Sequence, residues 1–489
     1  MGTAWKHPGG YIEVGEEICP IRRPGGGGRR KESMEIITIE TPALGDRSYL
    51  LVDGSAAAAV DPQRDIDRIE AMLAERGLDL SYVFETHLHN DYVSGGLELA
   101  RRAGATYVLA GADDVAYEHL GAGDGDEFAV GSLVVRAVHT PGHTPNHLSY
   151  VVLDGGEAVA AFTGGSMLYG TVGRTDLISA EATEGLTRAQ FQSVRRLAQE
   201  LPNEAGVHPT HGFGSFCSSA SFSGSSASTI GQERQSNLAL TLEDEGAFVD
   251  QLLGGLTAYP RYYAHMAPIN RAGPPPVDLS PPELVDPVEI RRRIHVGEWV
   301  VDLRSRMAFA RGHLAGTVNF EVGDSFATYL GWTLRWATPV TLVGDTAAQV
   351  AEAQRQLVRI GIDRPAGRAE GGVSAWGAGG ELRSYPTATF ADLANTLALG
   401  QANIVVLDVR RDDEWAVGRI DVAVHIPLHE LEVRLDEVAA GTVWVHCASG
   451  YRASIAASLL DRAGREVVAI DDDWALVARY DTLCRSGRP

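Results

Sequence analysis

A chain of 489 residues exceeds what one hydrophobic core supports, so roughly two to four folding units are expected. With 44% hydrophobic and 22% charged residues it reads as globular, and no stretch approaches the roughly 20 apolar residues a membrane span needs. The formal net charge of −22 repels phosphate backbones and anionic lipid, and no basic stripe offsets it, which excludes a nucleic-acid partner and a membrane role.

Residues 1–33 are rich in glycine and arginine (Gly25 to Gly28, then Arg29, Arg30 and Lys31) and lack periodicity, so a flexible N-terminal arm is expected. No apolar segment of signal-peptide length is present in it, and the cytoplasm is the expected compartment. Cys19, Cys217, Cys447 and Cys484 lie far apart without paired spacing, which fits reduced thiols. From Met34 onward, β-rich runs (34–40, 49–52, 57–60, 82–86, 133–138 and 148–153) alternate with helical patterns over Asp65–Arg76 and Thr187–Leu201. This spacing predicts a layered α/β unit over 34–265. Cys217 to Ser228 reads as a polar surface loop, and 266–283 as a proline-rich linker of the semi-rigid kind.

Within the first unit, ETHLHNDYVSGG (85–96) places His87, His89 and Asp91 at alternate positions after an apolar run. Two imidazoles one residue apart at a strand end can face one ion, and Asp91 can join them. A lone His-x-His is weak evidence, but HTPGHTPNHLSY (139–150) supplies His143 behind a Pro-Gly turn, and HPTHGFGS (208–215) supplies His211. Four histidines in three strand-end loops favour a metal site over scattered core or surface histidines. His139, His147 and His208 are expected to be structural neighbours.

Beyond the linker the chain repeats itself. WVVDLRSRMAF (299–309) matches IVVLDVRRDDEW (404–415), and each is followed by a Gly-x-Leu/Ile segment, a second apolar strand and a helix, so two small sheets covered by helices are expected over 284–385 and 386–489. In the second copy the strand Thr442 to His446 runs into CASGYR (447–452) and a helix. A cysteine there meets inward-facing backbone N–H groups and a helix N-terminus, which favour a thiolate. Gly450 permits the tight turn, and Arg452 supplies a fixed positive charge for an anionic sulfur group. The plainer alternative is a buried cysteine acting as a small hydrophobe. Phosphatase-like loops place five residues between cysteine and arginine; four stand here, a smaller cradle that suits sulfur. The first copy has Gly344 and Asp345 where the cysteine should fall and therefore no nucleophile, leaving it a role as spacer or docking surface.

Asp408-Val409-Arg410, Glu414-Trp415, Ile426-Pro427 and the loop from Cys447 to Arg452 resemble a rhodanese domain, which implies that Cys447 is the sulfur carrier and Arg452 the loop arginine. Arg419 stands where a histidine is usual, and Asp471 to Asp473 where glycines are usual. Asp302-Leu303-Arg304, Gly312-His313 and Gly371 to Trp376 make the first copy rhodanese-like but inactive.

The segments 86–91, 140–144, 163–164 and 172–177 resemble the metallo-β-lactamase superfamily, in the branch of glyoxalase II and persulfide dioxygenases. The resemblance implies an αββα sandwich with the metal at one sheet edge, followed by two rhodanese-like α/β domains. By position, His87, His89 and His143 match one metal's ligands, and Asp91 and His211 match groups used for a second. Tyr92 stands where the second metal's histidine would, and Gly165, in Thr163-Gly164-Gly165, where a ligand carboxylate would. One Fe(II) is implied, with Zn(II) as the alternative, occupancy being left open by those two replacements; Asp91 is the nearest carboxylate to take over. Arg174 can meet an anionic thiol substrate or form a structural salt bridge, and Cys217 can handle sulfur near the metal or be an ordinary loop cysteine.

The activity implied is oxidation of a low-molecular-weight persulfide coupled to sulfur transfer through Cys447. A zinc-dependent, glyoxalase II-like thioester hydrolase, or a degenerate metal domain acting as scaffold for the sulfurtransferase, remain as alternatives. The expected partner is a low-molecular-weight thiol or persulfide, and exposed edges on the small sheets are compatible with a homodimer.

Overall fold

The computed structural model describes residues 34–219, 224–480 and 482–483. The expected N-terminal arm, Cys19, Cys484 and residues 220–223 of the Ser/Gly-rich loop lie outside the described residues.

The first unit holds two six-stranded sheets. One runs β1 (Glu35–Thr41), β2 (Asp46–Asp53), β3 (Ala56–Val60), β4 (Asp79–Phe84), β5 (Thr106–Ala110) and β6 (Leu120–Ala122) in that order. The other comprises β7 (Glu127–Val130), β8 (Leu133–His139), β9 (Leu148–Asp154), β10 (Glu157–Gly164), β11 (Gly206–Pro209) and β12 (Ser228–Thr229), also neighbours in sequence order. Alternation along the strands sorts side chains into layers. Tyr49 and Leu51 of β2 face the other sheet, meeting Tyr150, Val152 and Phe162, whereas Leu50 and Val52 face Ile69 and Leu73 of the helix Asp67–Arg76. On the far side, Val151 and Leu153 of β9 pack under Phe191, Val194 and Leu197 of the helix Ala180–Glu200. Helix, sheet, sheet, helix is the αββα sandwich expected.

Two helices differ in extent from their sequence patterns. The helix expected from Thr187 starts at Ala180, capped by Ser179, whose side chain accepts from Ala182 N. The proline-rich linker begins inside a helix, Tyr263–Ala272, which contains Pro268, so its first residues are not a spacer. The rest is fastened at both sides: Val277 N donates to Glu98 at 3.0 Å, and Asp278 pairs with Arg364.

The two C-terminal copies share one topology. In the first, Val318–Asn319, Trp299–Asp302, Val340–Val343 and Gly367–Ala369 lie side by side, all parallel. In the second, Ala423–His425, Ile404–Asp408, Thr442–His446 and Val467–Ile470 do the same, with Thr387–Ala388 added at the edge. Each central strand ends in the same clamp. Arg304 Nη2 donates to Asp302 Oδ2 at 2.6 Å and to Gly312 O at 2.9 Å, and Arg410 Nη2 donates to Asp408 Oδ2 at 2.6 Å and to Gly418 O at 2.7 Å. The repeated Asp-x-Arg therefore ties a strand end to the Gly-x-Leu/Ile turn in both copies.

The three units pack through charged and apolar contacts. Arg359 Nη2 of the first copy reaches Asp65 Oδ2 at 2.6 Å in the interior of the junction, and His313 Nε2 lies 3.1 Å from Asp461 Oδ2 between the copies. One apolar cluster runs through all three, from Leu44, Tyr92 and Cys217 through Val301 and Leu330 to Val445 and Cys447. Among the described residues no helix is long and apolar enough to cross a membrane.

Candidate metal centre and reactive thiol

The ends of the strands collect the histidines. His87 and His89 follow β4, His143 lies in the turn between β8 and β9, and His211 follows β11; all four are fully buried or nearly so. Three present one ring nitrogen inward because the other is held from behind. His87 Nδ1 lies 2.8 Å from Thr86 Oγ1, which itself donates to Asp61 Oδ2 and so acts toward the ring as acceptor. His143 Nδ1 donates to Arg174 O at 2.7 Å, and His211 Nδ1 to Asp46 Oδ1 at 2.9 Å, with Asp91 Oδ2 at 3.1 Å. Such outer partners are what fix the tautomer of metal-binding histidines. His87 Nε2 and His211 Nε2 then face each other at 3.3 Å.

That separation is a test of the site. Two nitrogens, each about 2.0–2.1 Å from one tetrahedral ion, stand about 3.3–3.4 Å apart. His143 Nε2, His89 Nδ1 and Asp91 Oδ1 are buried nearby with no hydrogen-bond partner, and one ring nitrogen each of His87, His89 and His211 falls within 4.8 Å of the others. Orphaned donors of this kind are costly unless something is held between them. The residues present therefore fit a bound metal ion.

The electrostatics agree with that reading. Burial, followed by the charge of neighbouring imidazoles, pushes His87 well down and His143 down to about 3, leaving neutral lone pairs. Burial and the adjacent Asp91 carboxylate push Asp46 up to about 8; Asp91, although burial opposes its charge, is held low by His211 and is the anionic member of the pair. His89 differs. Its Nε2 lies 3.3 Å from Asp61 Oδ1 and 3.2 Å from Glu85 Oε2, and these carboxylates outweigh burial and raise it to about 9. Asp61 sits in the left-handed region at φ 49°, a strained position for a residue with a Cβ, and accepts from Thr86 N at 2.7 Å and from Thr210 Oγ1. Asp46, Asp61 and Glu85 were not singled out in the sequence. Asp61 had one usable signal: it follows the end of β3, which pairs in parallel with β4 and so stands beside the histidine loop.

The second site lies where the strand Thr442–His446 meets the helix Tyr451–Arg462. Cys447 Sγ accepts from Gly450 N at 3.2 Å. Gly450 has φ +91°, and a Cβ there would stand 3.0 Å from Asp471 Cγ with the carboxylate oxygen closer still, so the turn requires glycine. Arg452, expected to hold an anionic sulfur group, engages Glu414 instead, with Nη1 to Oε2 at 2.5 Å and Nη2 to Oε1 at 2.7 Å. Cys447 is 2% exposed, and its loop meets the first copy: Tyr451 OH donates to Glu321 O at 2.9 Å across the junction.

The sequence profile described as "Metallo-beta-lactamase superfamily" matches residues 43–211, and that described as "Rhodanese-like domain" matches twice, at 286–378 and 390–479. Human "Persulfide dioxygenase ETHE1, mitochondrial" is 31% identical over 202 residues, which span 40% of this chain and 72% of that protein. The "Probable polyketide biosynthesis zinc-dependent hydrolase BaeB" of Bacillus velezensis is 32% identical over 176 residues, 34% of this chain and 72% of that protein. The chain belongs to the metallo-β-lactamase superfamily. A crystal structure of a metallo-beta-lactamase from Staphylococcus aureus subsp. aureus COL matches with a TM-score of 0.62 at 28% identity, covering 69% of this chain and 99% of that one. Two rhodanese-like domains complete this superfamily member.

Its two departures from the superfamily pattern have local physical causes. A Cβ on Gly165 would stand 2.5 Å from His143 Cγ and closer still to Cδ2, so the ring of His143 occupies the room a ligand side chain at 165 would need. Gly165 N also donates to His147 Nε2 at 3.1 Å. Tyr92 is fully buried, stacks on His89 at 4.2 Å, and places its hydroxyl 2.9 Å from His89 Nε2; it caps that nitrogen as a hydrogen-bond partner. The structure thus gathers His87, His89, His143, His211 and Asp91 into one cluster. Cys217 joins them, with a ligand atom within 4.8 Å of those of His143 and His211, and burial together with Asp91 pushes its thiol well up. Arg174 takes the salt-bridge alternative: Nε and Nη2 hold Asp176 at 2.7 and 2.8 Å, and Nη1 and Nη2 also reach Phe216 O and Thr257 O.

Proposed function

We propose that this protein is a sulfur-metabolism enzyme that oxidises a low-molecular-weight persulfide at its first domain and moves sulfane sulfur through Cys447 at its last. The observation that carries the reading is the cradle at Cys447, where the backbone N–H of a glycine turn donates to the sulfur at 3.2 Å at the start of a twelve-residue helix. For the first domain, His87, His143 and His211 would hold one ion, with His89 and Asp91 as further ligands; Fe(II) is the proposed ion and Zn(II) the alternative. When bound, such an ion supplies a site for O2 beside the substrate sulfur. The chain's own part is to keep His87 and His143 neutral by burial, to orient three imidazoles through Thr86, Arg174 O and Asp46, and to set Cys217 beside them.

A second reading, a zinc-dependent thioester hydrolase, draws on the hydrolase relatives and on the mostly neutral donor set. It is weakened by Tyr92, which stands where a histidine for a second metal would and is engaged with His89 Nε2 instead. A third, in which the metal domain is only a scaffold, is opposed by the orphaned inward-facing nitrogens.

Metal analysis of anaerobically purified protein, with O2 uptake and sulfur-transfer assays on a persulfide, separates the three. About one iron per chain with O2 uptake supports the proposal; zinc with thioesterase activity supports the hydrolase; no metal supports the scaffold. Cys447→Ser should abolish sulfur transfer and leave O2 uptake in place, and transfer that survives in this variant refutes the role given to Cys447.

A further inference from the structure

The cleft lined by Arg452, at the end of the Cys447 loop, is assembled from more than its own domain. Tyr329 and Trp332 of the first copy face Arg411, Leu428, His429 and Arg452 of the second across a narrow space of about 10 Å³. Trp332 stacks on His429 at 4.9 Å and meets Phe216, the neighbour of Cys217 in the metal domain, edge-on at 4.8 Å. The space lies far below the roughly 300–1,000 Å³ of ordinary small-molecule pockets, so it admits about one small group and not a whole cofactor.

Both cations of the cleft are already paired. Arg452 holds Glu414 in a two-point contact at 2.5 and 2.7 Å, and Arg411 holds Asp413 through Nε and Nη2, both at 2.9 Å. Arg411 N also donates to Glu414 Oε2 at 3.1 Å. Two guanidiniums facing two carboxylates leave no net charge, and the remaining walls are aromatic or aliphatic apart from Thr333. An oxyanion of sulfur would have to displace a carboxylate from a mostly buried fork, whereas a thiol brings one polarisable atom to aromatic edges without breaking an ion pair.

We infer that Glu414 is a specificity-determining residue: by neutralising Arg452 it makes Cys447 exchange sulfane sulfur with thiols in preference to oxyanions such as sulfite and thiosulfate. The inference rests on the proposed carriage of sulfur by Cys447. In the step, a thiolate R–S⁻ attacks the outer sulfur of Cys447–S–SH and forms R–S–SH. The existing S–S bond breaks, and its electron pair returns to Cys447 as a thiolate that accepts the Gly450 N–H. One S–S bond is exchanged for another, the proton stays on the transferred sulfur, and no external oxidant or reductant is needed.

Two measurements on the full chain test this. Calorimetric binding of sulfite and of thiosulfate is compared in Cys447→Ser with and without Glu414→Gln, and discharge of sulfur-loaded wild-type protein is compared with glutathione and sulfite as acceptors. Freeing Arg452 should tighten oxyanion binding by about ten- to a hundredfold, and wild-type discharge should be faster to glutathione. Equal oxyanion affinity in the two variants, or faster wild-type discharge to sulfite, overturns the inference. Should Glu414→Gln fail to fold, the wild-type discharge ratio decides. If Cys447 takes up no sulfur at all, the binding contrast still decides for or against Glu414, and it is the proposed function that fails.

Discussion

Replacing Gly165 with alanine probes whether the histidine cluster is packed as described. The added Cβ would stand 2.5 Å from His143 Cγ, and ordinary carbon contacts begin near 3.4 Å, so the ring must retreat by about an ångström. It cannot slip sideways freely, because a Cβ on Gly173 would likewise be 2.7 Å from His143 Nδ1, which places backbone against both sides of the imidazole. Overpacking of this kind costs about 1–3 kcal/mol, and stretching the 2.7 Å bond from Nδ1 to Arg174 O adds about 1 kcal/mol. Displacing one ligand or its outer partner lowers metal affinity by about 10- to 100-fold. Urea denaturation of the apoprotein reads the first quantity and metal titration the second. Gly165→Asp, which restores the superfamily's carboxylate, should bind metal more weakly than the wild type, because the room for that carboxylate is filled by His143. Unchanged stability and metal affinity in Gly165→Ala, or tighter iron binding in Gly165→Asp, would refute the packing argument.

Asp91→Asn should lower metal affinity by about 10- to 100-fold, read by competition with a chelator, because it removes the anionic member of the Asp46 and Asp91 pair. His446, buried and held neutral with its pKa pushed from 6.5 down to about 4, leaves the unfolded chain binding a proton that the folded chain refuses between those values. Stability is therefore present in full above about pH 6.5 and falls as pH drops toward 4, by about 3 kcal/mol from this group; His446→Asn should flatten that part of a denaturation-against-pH curve. Arg359→Ala leaves Asp65 buried without its 2.6 Å partner and should cost about 3 kcal/mol in urea denaturation, less whatever Arg68 and Arg355 recover; no loss would mean the junction does not depend on this pair.

The histidine loops were legible because each has a local signature: His87 and His89 follow an apolar strand, His143 follows a Pro-Gly turn, and His211 sits before glycines. The repeat was legible through Asp302-Leu303-Arg304 and Asp408-Val409-Arg410, whose clamps are made within a few residues. What escaped depends on distant pairing. Asp46 and Asp61 look like ordinary loop acids until β2 and β3 bring them beside His211 and His89. Glu414 lies 38 residues from Arg452, so nothing in CASGYR tells that the arginine is engaged. The first turn of Ala180–Glu200 lacks apolar periodicity and is set by the Ser179 cap, while prolines masked the end of Tyr263–Ala272.

The copy without a cysteine has a structural reason to persist. Its Asp302 and Arg304 clamp stabilises the strand end whether or not a nucleophile follows, so losing the thiol at Gly344 leaves the fold intact. Its helix Phe326–Thr333 touches both neighbours at once: Thr328 Oγ1 donates to Ala43 O in the first domain at 2.9 Å, and Trp332 stacks on His429 beside the cleft lined by Arg452. Because Phe216 packs against that same tryptophan, the residue next to Cys217 and the walls of the cleft lined by Arg452 are parts of one packed junction. A spacer chosen only for length would not need such contacts. Removing the copy would leave Trp332's partners, Phe216 and His429, facing water, so the first and last domains are held in register by the copy without a cysteine.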